Sequence, residues 1–376
     1  MQVSFWEKHS FYAHKDVIII GAGLAGLWTA IELNRRKPQL KILMLDMGLV
    51  PAGASTRNAG FACFGSPTEL LHDAKKLGED KLWEIAEQRF KGIEKIRAVF
   101  GDDLIEFDNC GGYELLKSTY NIDGLDDKLL WLNKGLEQIT KNKNTFARVD
   151  ESIKKFNFNG FGIMIENKLE GGLHSGKLMQ ALTKKVLGLG VEIINSTTVK
   201  RYKKQNGLVK VFTNREIDFT CDKLLICTNG FTSALIENSN VTPGRGQILV
   251  TSPIPGLPFR GTFHFDEGFY YFRNLGNRVL LGGARNKAFT EETTTELETT
   301  DSIQNELERF LRENVLPGQT YSIDQRWSGI MGYTDNKLPA TKRTEPNVYY
   351  VITCNGMGVA LSPVIAEKTA SLMFEE

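Results

Sequence analysis

The sequence predicts an α/β fold, and three neighbouring features predict it: a β-branched run at 16–20, a glycine-rich turn at 21–26, and a helical stretch leading to a second apolar run at 41–46. Short apolar runs without alternation suit strands buried on both faces of a parallel sheet. Leu24–Arg36 reads as the helix, with small Ala25 and Gly26 at its start and Pro38 just beyond its end. Strand, turn, helix and strand make a βαβ unit, whose crossover is right-handed.

At 376 residues the chain is longer than one compact domain, so two intergrown domains are expected. A hydrophobic share of 41% beside 24% charged residues leaves ample material for a core. The net charge of +1 gives no basis for a nucleic-acid or acidic-membrane partner. Five cysteines, odd in number and without a CxxC pair, read as reduced thiols. Five histidines show no ligand spacing, so no metal is expected. Residues 1–16 lack the apolar core of a signal peptide, and no apolar run nears the roughly 20 residues that span a bilayer. The expectation is a cytoplasmic protein.

Further along, 67–100 is rich in Leu, Lys and Glu and broken at Gly78 and Gly92, which predicts two or three helices. A strand at 111–116, helices at 125–141 and 175–189, and strands at 191–195, 209–212 and 223–227 follow. The stretch 261–284 alternates aromatic and apolar residues around turn residues 274–277 and reads as an antiparallel hairpin. Residues 290–300, rich in Thr and Glu, read as an exposed loop or the approach to a helix; a last buried strand at 348–353 and a last helix at 363–374 close the chain. There is no internal repeat.

Gly21, Gly23 and Gly26 stand in a GxGxxG turn between strand and helix. The first glycine permits the tight turn, the second lets a pyrophosphate approach the backbone, and the third lets helix and strand pack closely. The helix N-terminus, through Leu24 and Ala25, points N–H groups at the phosphate. Asp46 lies 20 residues beyond Gly26 at the end of the next strand, where a carboxylate can accept from ribose hydroxyls. The pattern predicts a dinucleotide, and by itself leaves FAD and NAD open. The loop of Ala54, Ser55, Thr56, Arg57, Asn58, Ala59, Gly60 and Phe61 offers hydroxyls, one cation and a small-residue turn that can wrap a diphosphate; its bland reading is a polar loop. A second glycine-rich turn, Cys354 to Ala360, falls between the last strand and helix and can aim N–H groups at an electron-rich carbonyl.

These segments together resemble the D-amino-acid oxidase and glycine oxidase group of FAD-dependent oxidoreductases, and especially its gamma-glutamylputrescine oxidoreductase branch. The resemblance runs nearly end to end. It rests on the glycine turn and the segment Gly53 to Phe61, then on Gly111-Gly112-Tyr113, Gly171-Gly172-Leu173-His174, Thr228-Asn229-Gly230, the aromatic stretch Tyr270 to Gly283 and Arg326-Trp327-Ser328-Gly329. It implies a Rossmann-type FAD-binding domain (1–80, 165–240 and 326–376) with an inserted antiparallel-sheet α+β substrate domain (81–164 and 241–325). It further implies that Gly21, Gly23, Gly26 and Asp46 hold the ADP half of FAD. Arg57, Asn58 and Ala59 would lie along pyrophosphate and flavin, with Val199 at adenine. Thr228, Asn229 and Gly230 would close over the cofactor, while Gly329 and Gly356, Met357, Gly358, Val359 and Ala360 would hem in the ring.

Where oxidases of D-amino acids and glycine carry an arginine that clamps the substrate carboxylate, two residues after the glycine matching Gly329, this chain has Met331. That departure favours an amine or N-substituted substrate. It also removes the cysteine position through which sarcosine-oxidase relatives attach flavin, so FAD is expected to bind non-covalently; Cys63 and Cys354 complicate this, since both lie on segments expected near the flavin. Phe61, Tyr271, Arg273, Trp327 and Met331 are the candidate substrate residues, with plain sheet core as the bland alternative. Arg285 and Arg326 read either as anion-binding groups or as structural ion pairs, and His264 as a satisfied sheet residue. The expected chemistry is hydride transfer from the carbon bearing nitrogen to flavin, imine hydrolysis, and reoxidation by O2 to H2O2. A dehydrogenase with a quinone or protein acceptor, and a non-catalytic flavin module of a complex, are the alternatives.

Overall fold

The computed structural model describes residues 2–334, 338–352 and 355–375. The chain divides into two compact units, 1–56 with 176–244 and 331–376, and 57–175 with 245–330.

The first unit is built on a sheet ordered Ala340–Glu345, Val348–Ile352, Asp218–Ile226, Lys15–Ile20, Ile42–Leu45, Glu192–Ile194. The four pairings from Val348–Ile352 to Glu192–Ile194 are parallel, and only the edge strand Ala340–Glu345 runs antiparallel. Strands Val199–Gln205 and Leu208–Thr213 extend it antiparallel from Asp218–Ile226. Ile18, Ile19, Leu43 and Leu45 are fully buried, as expected of strands covered on both faces. Helix Leu24–Arg36 follows the glycine turn and packs against the last helix, Gly358–Phe374. That last helix starts five residues earlier than expected. Pro363 lies inside it, in the second turn, so the sequence break expected at proline is overridden there. Thr353, expected to end the last strand, lies outside the described residues.

The second unit holds a sheet ordered Ile323–Tyr333, Thr242–Thr251, Arg278–Gly283, Tyr270–Leu275, Thr262–Phe265, Gly112–Lys117, Phe161–Asn167, Phe146–Arg148. The single hairpin expected over 261–284 is a three-stranded meander, with a second turn at 266–269. Asp266 and Glu267 there take left-handed backbone angles, which the aromatic alternation conceals. Register places Phe263, Phe272, Leu281 and Leu249 in one row. The row forms the core face, with Phe263 stacked on Phe272 at 4.7 Å and helix Asp301–Phe310 contributing Ile303, Leu307 and Phe310. Because side chains alternate, His264, Tyr271, Gly282 and Ile248 form the matching row on the opposite face.

Helices Pro67–Leu77, Glu79–Phe100 and Leu125–Thr140 pack together. Gly78 separates the first two with φ of +86°, whereas Gly92, expected to break the run, is buried within Glu79–Phe100. A glycine inside a helix costs about 1 kcal/mol, which tertiary packing overrides. The domain boundaries also differ from expectation. Residues 57–80 and 165–175 group with the second unit, because Phe61–Ala62 pairs with Gly171–Gly172 and Pro67–Leu77 packs on Glu79–Phe100. Residues 241–244 group with the first unit, and 326–330 with the second. Among the described residues no helix is long and apolar enough to cross a membrane.

Candidate functional site

In the first unit the glycine turn is closed by contacts that admit no side chain. Gly21 has φ of +102°, and a Cβ on Gly26 would lie 2.1 Å from the carbonyl oxygen of Gly21. Gly23 caps the helix in extended conformation, facing Ser55 Oγ. Ser55 Oγ accepts from the Leu24 N–H at 2.9 Å, so one of the N–H groups expected to meet phosphate has an intramolecular acceptor. Ala25 and Gly26 supply the other first-turn N–H groups, which an α-helix leaves without an intrahelical acceptor. Asp46 is buried, with Oδ2 accepting from Ala22 N–H at 2.8 Å and Oδ1 from Gly48 N–H at 2.9 Å. It therefore braces the turn, and each oxygen keeps a lone pair for a hydroxyl. Thr56 Oγ1 donates to the Pro51 carbonyl at 2.6 Å.

Three more segments of this unit carry predicted residues. Val199 is buried at the start of its strand. Thr228 and Thr232 share a hydroxyl contact at 3.1 Å beside buried Gly230. Asn229 takes a left-handed conformation, as do Asn355 and Gly356. Asn355 N–H donates to the Gly332 carbonyl at 3.1 Å, and a Cβ on Gly332 would lie 2.8 Å from Asn229 Oδ1. Asn229 Oδ1 and Asn355 Nδ2 are buried without a partner among the described residues. Two amides in that state call for a polar group to meet them, since an unsatisfied buried amide is costly. Met357 caps helix Gly358–Phe374, whose first turn presents the N–H groups of Gly358, Val359 and Ala360. A glycine turn, two helix N-termini and two orphaned amides fit a large anionic cofactor. Gly332 was not singled out from sequence, although its glycine and its position one residue past Met331 were visible.

In the second unit the loop after Ala54–Arg57 is tightly held. Arg57 Nη1 donates to the Ser328 carbonyl and Trp327 Nε1 to the Arg57 carbonyl, both at 2.9 Å. Asn58 Oδ1 accepts from Gly60 N–H at 2.9 Å and Ser175 Oγ at 2.6 Å. Ala59, Tyr271 and Trp327 pack on Ile248, Val250 and Leu280. Phe61 meets Tyr271 edge-on at 6.0 Å, and the Tyr271 ring lies over Gly282, where a Cβ would come within 2.5 Å of it. Gly329 is buried in the strand that carries Trp327. Met331, on the same strand but in the first unit, is half-buried beside the Tyr333 hydroxyl at 3.8 Å.

Some expectations change. Arg273 is buried and its Nη1 donates to the carbonyls of Gly60 and Leu173 at 2.7 and 3.0 Å, so it braces the loop. Arg326 pairs with Gln304 and Glu308 at 2.6 Å, and Arg285 stacks on Phe289 at 5.1 Å. His264 is no satisfied sheet residue: it is buried edge-on to Phe61 at 5.0 Å, with Nε2 lacking a partner among the described residues. Burial lowers its proton affinity and keeps it neutral. Burial, then Glu170 and Glu69, hold the Cys63 thiol protonated and so poorly nucleophilic. Cys354 lies outside the described residues.

The first unit is a mainly parallel sheet with a dinucleotide-type turn, and the second a sheet with an aromatic face that is antiparallel except where Thr262–Phe265 pairs parallel with Gly112–Lys117, against the wholly antiparallel sheet expected. The family model described as FAD dependent oxidoreductase matches residues 16–372, and the chain belongs to that family. It is an FAD-dependent oxidoreductase. It is 25% identical to the probable oxidoreductase OrdL of Haemophilus influenzae, over 93% of this chain and 80% of that one. It is 24% identical to the bifunctional protein ThiO/ThiG of Trichormus variabilis over 96% of this chain, and spans about half (53%) of that longer protein. Among solved structures, it matches glycine oxidase from Geobacillus kaustophilus (TM-score 0.73, 18% identity, 96% of this chain and 94% of that). L-Proline dehydrogenase from P. horikoshii matches with a TM-score of 0.73, 17% identity and the same two coverages, which shows a shared fold.

Proposed function

We propose that the protein is a cytoplasmic enzyme that oxidises the C–N bond of a small-molecule amine or N-substituted amino acid, with O2 as electron acceptor. The observation that carries this is the aromatic face of Phe61, Tyr271 and Trp327, taken with Met331 where a carboxylate-binding arginine would stand. FAD, when bound, supplies the acceptor for the hydride that leaves the carbon bearing nitrogen.

The chain's own part is binding and environment. The first-turn N–H groups at Ala25 and Gly26 suit the pyrophosphate, Asp46 the ribose, and the N–H groups of Gly358 to Ala360 a developing negative charge. An apolar surface of three rings excludes water and lowers the pKa of a bound ammonium, leaving the neutral amine that hydride loss requires. In this reading no base is asked of His264, which is buried edge-on to Phe61. The imine takes up water and releases a carbonyl compound and the amine fragment. Glycine oxidase and L-proline dehydrogenase are named for substrates with a C–H beside nitrogen, which supports the reading.

A second reading, electron transfer to a quinone or protein acceptor, is favoured by the dehydrogenase names among the relatives. One experiment addresses both. An anaerobic panel of primary and secondary amines, D-alanine, glycine and 2-hydroxy acids is scored by flavin bleaching, and air is then admitted. Bleaching by amines with slow or no response to D-alanine and glycine is expected, followed by reoxidation with stoichiometric H2O2. Bleaching by 2-hydroxy acids alone would overturn the C–N assignment, and persistence of reduced flavin in air would select the second reading.

A further inference from the structure

Three buried ionisable side chains from three different segments converge on residues 63–69, immediately after Phe61–Ala62. Glu170 Oε1 accepts from the N–H groups of Phe64 and Gly65 at 2.7 and 3.3 Å. Glu114, on strand Gly112–Lys117, accepts from Ser66 Oγ at 3.0 Å, from Thr68 N–H at 2.9 Å and from Thr68 Oγ1. Arg89, on helix Glu79–Phe100, donates through Nη1 to the Phe64 carbonyl at 3.4 Å and to Glu69 at 3.0 Å. Arg89, Glu114 and Glu170 are 4%, 1% and 2% exposed, so all three are sealed from water.

The placement of Glu170 is specific. It precedes Gly171–Gly172, the strand that pairs with Phe61–Ala62, and it occupies the space over Gly112, where a Cβ would lie 2.2 Å from Oε2. Glu170 thus grips the start of the strap at residues 64–65 while its neighbouring residues pair with Phe61–Ala62, and Glu114 grips the strap at Ser66 and Thr68. We propose that Glu114 and Glu170 are positioning residues that hold this strap, and through it Phe61 and the loop Asn58–Gly60, in register for cofactor and substrate. The inference rests on reading Phe61 and that loop as part of the site.

The charges around the strap make the grip responsive to protons. Arg89 pairs with Glu69 and also acts on Glu170, while Glu114 meets the like charge of Glu69; Cys63, Tyr120 and His264 are uncharged neighbours, with the His72–Glu267 pair (3.6 Å) at the edge. Burial, reinforced by Glu69, raises Glu114 to about 7 and Glu170 to about 8. A protonated carboxyl still accepts, so the strap stays bonded below neutrality. Above it, like charges in a dry cluster push the anchors apart.

The test measures FAD affinity of apo-protein by fluorescence quenching from pH 6 to 9, on wild type, E114Q, E170Q, the double Gln variant and E170A. Wild-type affinity is expected to fall about tenfold across that range, the factor given by a pKa difference of about one unit between the free and FAD-bound protein. The double Gln variant, whose amides accept but never ionise, should keep its pH 6 affinity throughout, and E170A should bind several-fold more weakly at every pH. A flat wild-type profile, or a double Gln variant with the wild-type slope, sinks the proposal even if E170A does not fold. Amine bleaching of wild-type flavin is scored separately. No bleaching with the pH slope present rejects the amine reading alone, and bleaching without the slope rejects the strap alone.

Discussion

Gly26 shows how a single hydrogen can matter more than propensity. Alanine is favoured over glycine in a helix by about 1 kcal/mol. At this position, though, its Cβ would lie 2.1 Å from a backbone oxygen that cannot swing away. The clash outweighs propensity, and Gly26→Ala is expected to destabilise by about 1–3 kcal/mol, the usual range for overpacking. Gly53→Ala, with nothing within 4 Å of its Cβ, is the control and should be near neutral. Urea midpoints at unchanged slope decide it, and equal stability of the two variants would refute the close-approach argument. At this scale the glycines were legible in the sequence, because a GxGxxG turn states its own steric demand. The bracing by Arg273 was not: nothing near it in sequence marks the carbonyls of Gly60 and Leu173 as acceptors for its guanidinium.

At the scale of elements, side-chain bonds tie loops to strands. Trp327→Phe keeps an aromatic six-membered ring but removes the pyrrole part with the N–H given to the Arg57 carbonyl, and should cost about 1 kcal/mol or more. An unchanged thermal midpoint would show that this tie contributes nothing. The strap carries a larger, pH-dependent effect. Glu114 and Glu170 have folded pKa values of about 7 and about 8, above the ordinary carboxyl value of 4.5. Between pH 4.5 and 8 the folded state therefore holds protons the unfolded chain has released. Stability is fully present below pH 4.5 and is lost as pH rises through that window, by up to about 1.4 kcal/mol per pH unit for each carboxyl. E114Q and E170Q should each reduce this slope in calorimetric midpoints taken from pH 5 to 9. A wild-type slope in both variants would locate the proton linkage elsewhere.

For the whole molecule, the expectation is FAD held by many dispersed contacts and no covalent bond. After acid precipitation, flavin should stay in the supernatant. Fluorescence travelling with the denatured chain on a gel would overturn this and direct attention to Cys354, since the Cys63 thiol is buried and held protonated.

What the sequence determined alone was local: the βαβ unit, the glycine turn, Asp46 after its strand, and most helices. Each follows from interactions within a few residues, namely backbone conformation, apolar period and capping. The sequence could not show that the stretch 261–284 turns twice, nor that Gly92 stays helical, because packing overrides weak local preference there. Tertiary structure alone decided the partners of buried polar groups. Glu114 lies 48 residues from Ser66, and Glu170 106 residues from Phe64. Nothing in either's neighbourhood marks it, because the cost of an unpaired buried charge is met by whichever distant backbone the fold brings within 3 Å.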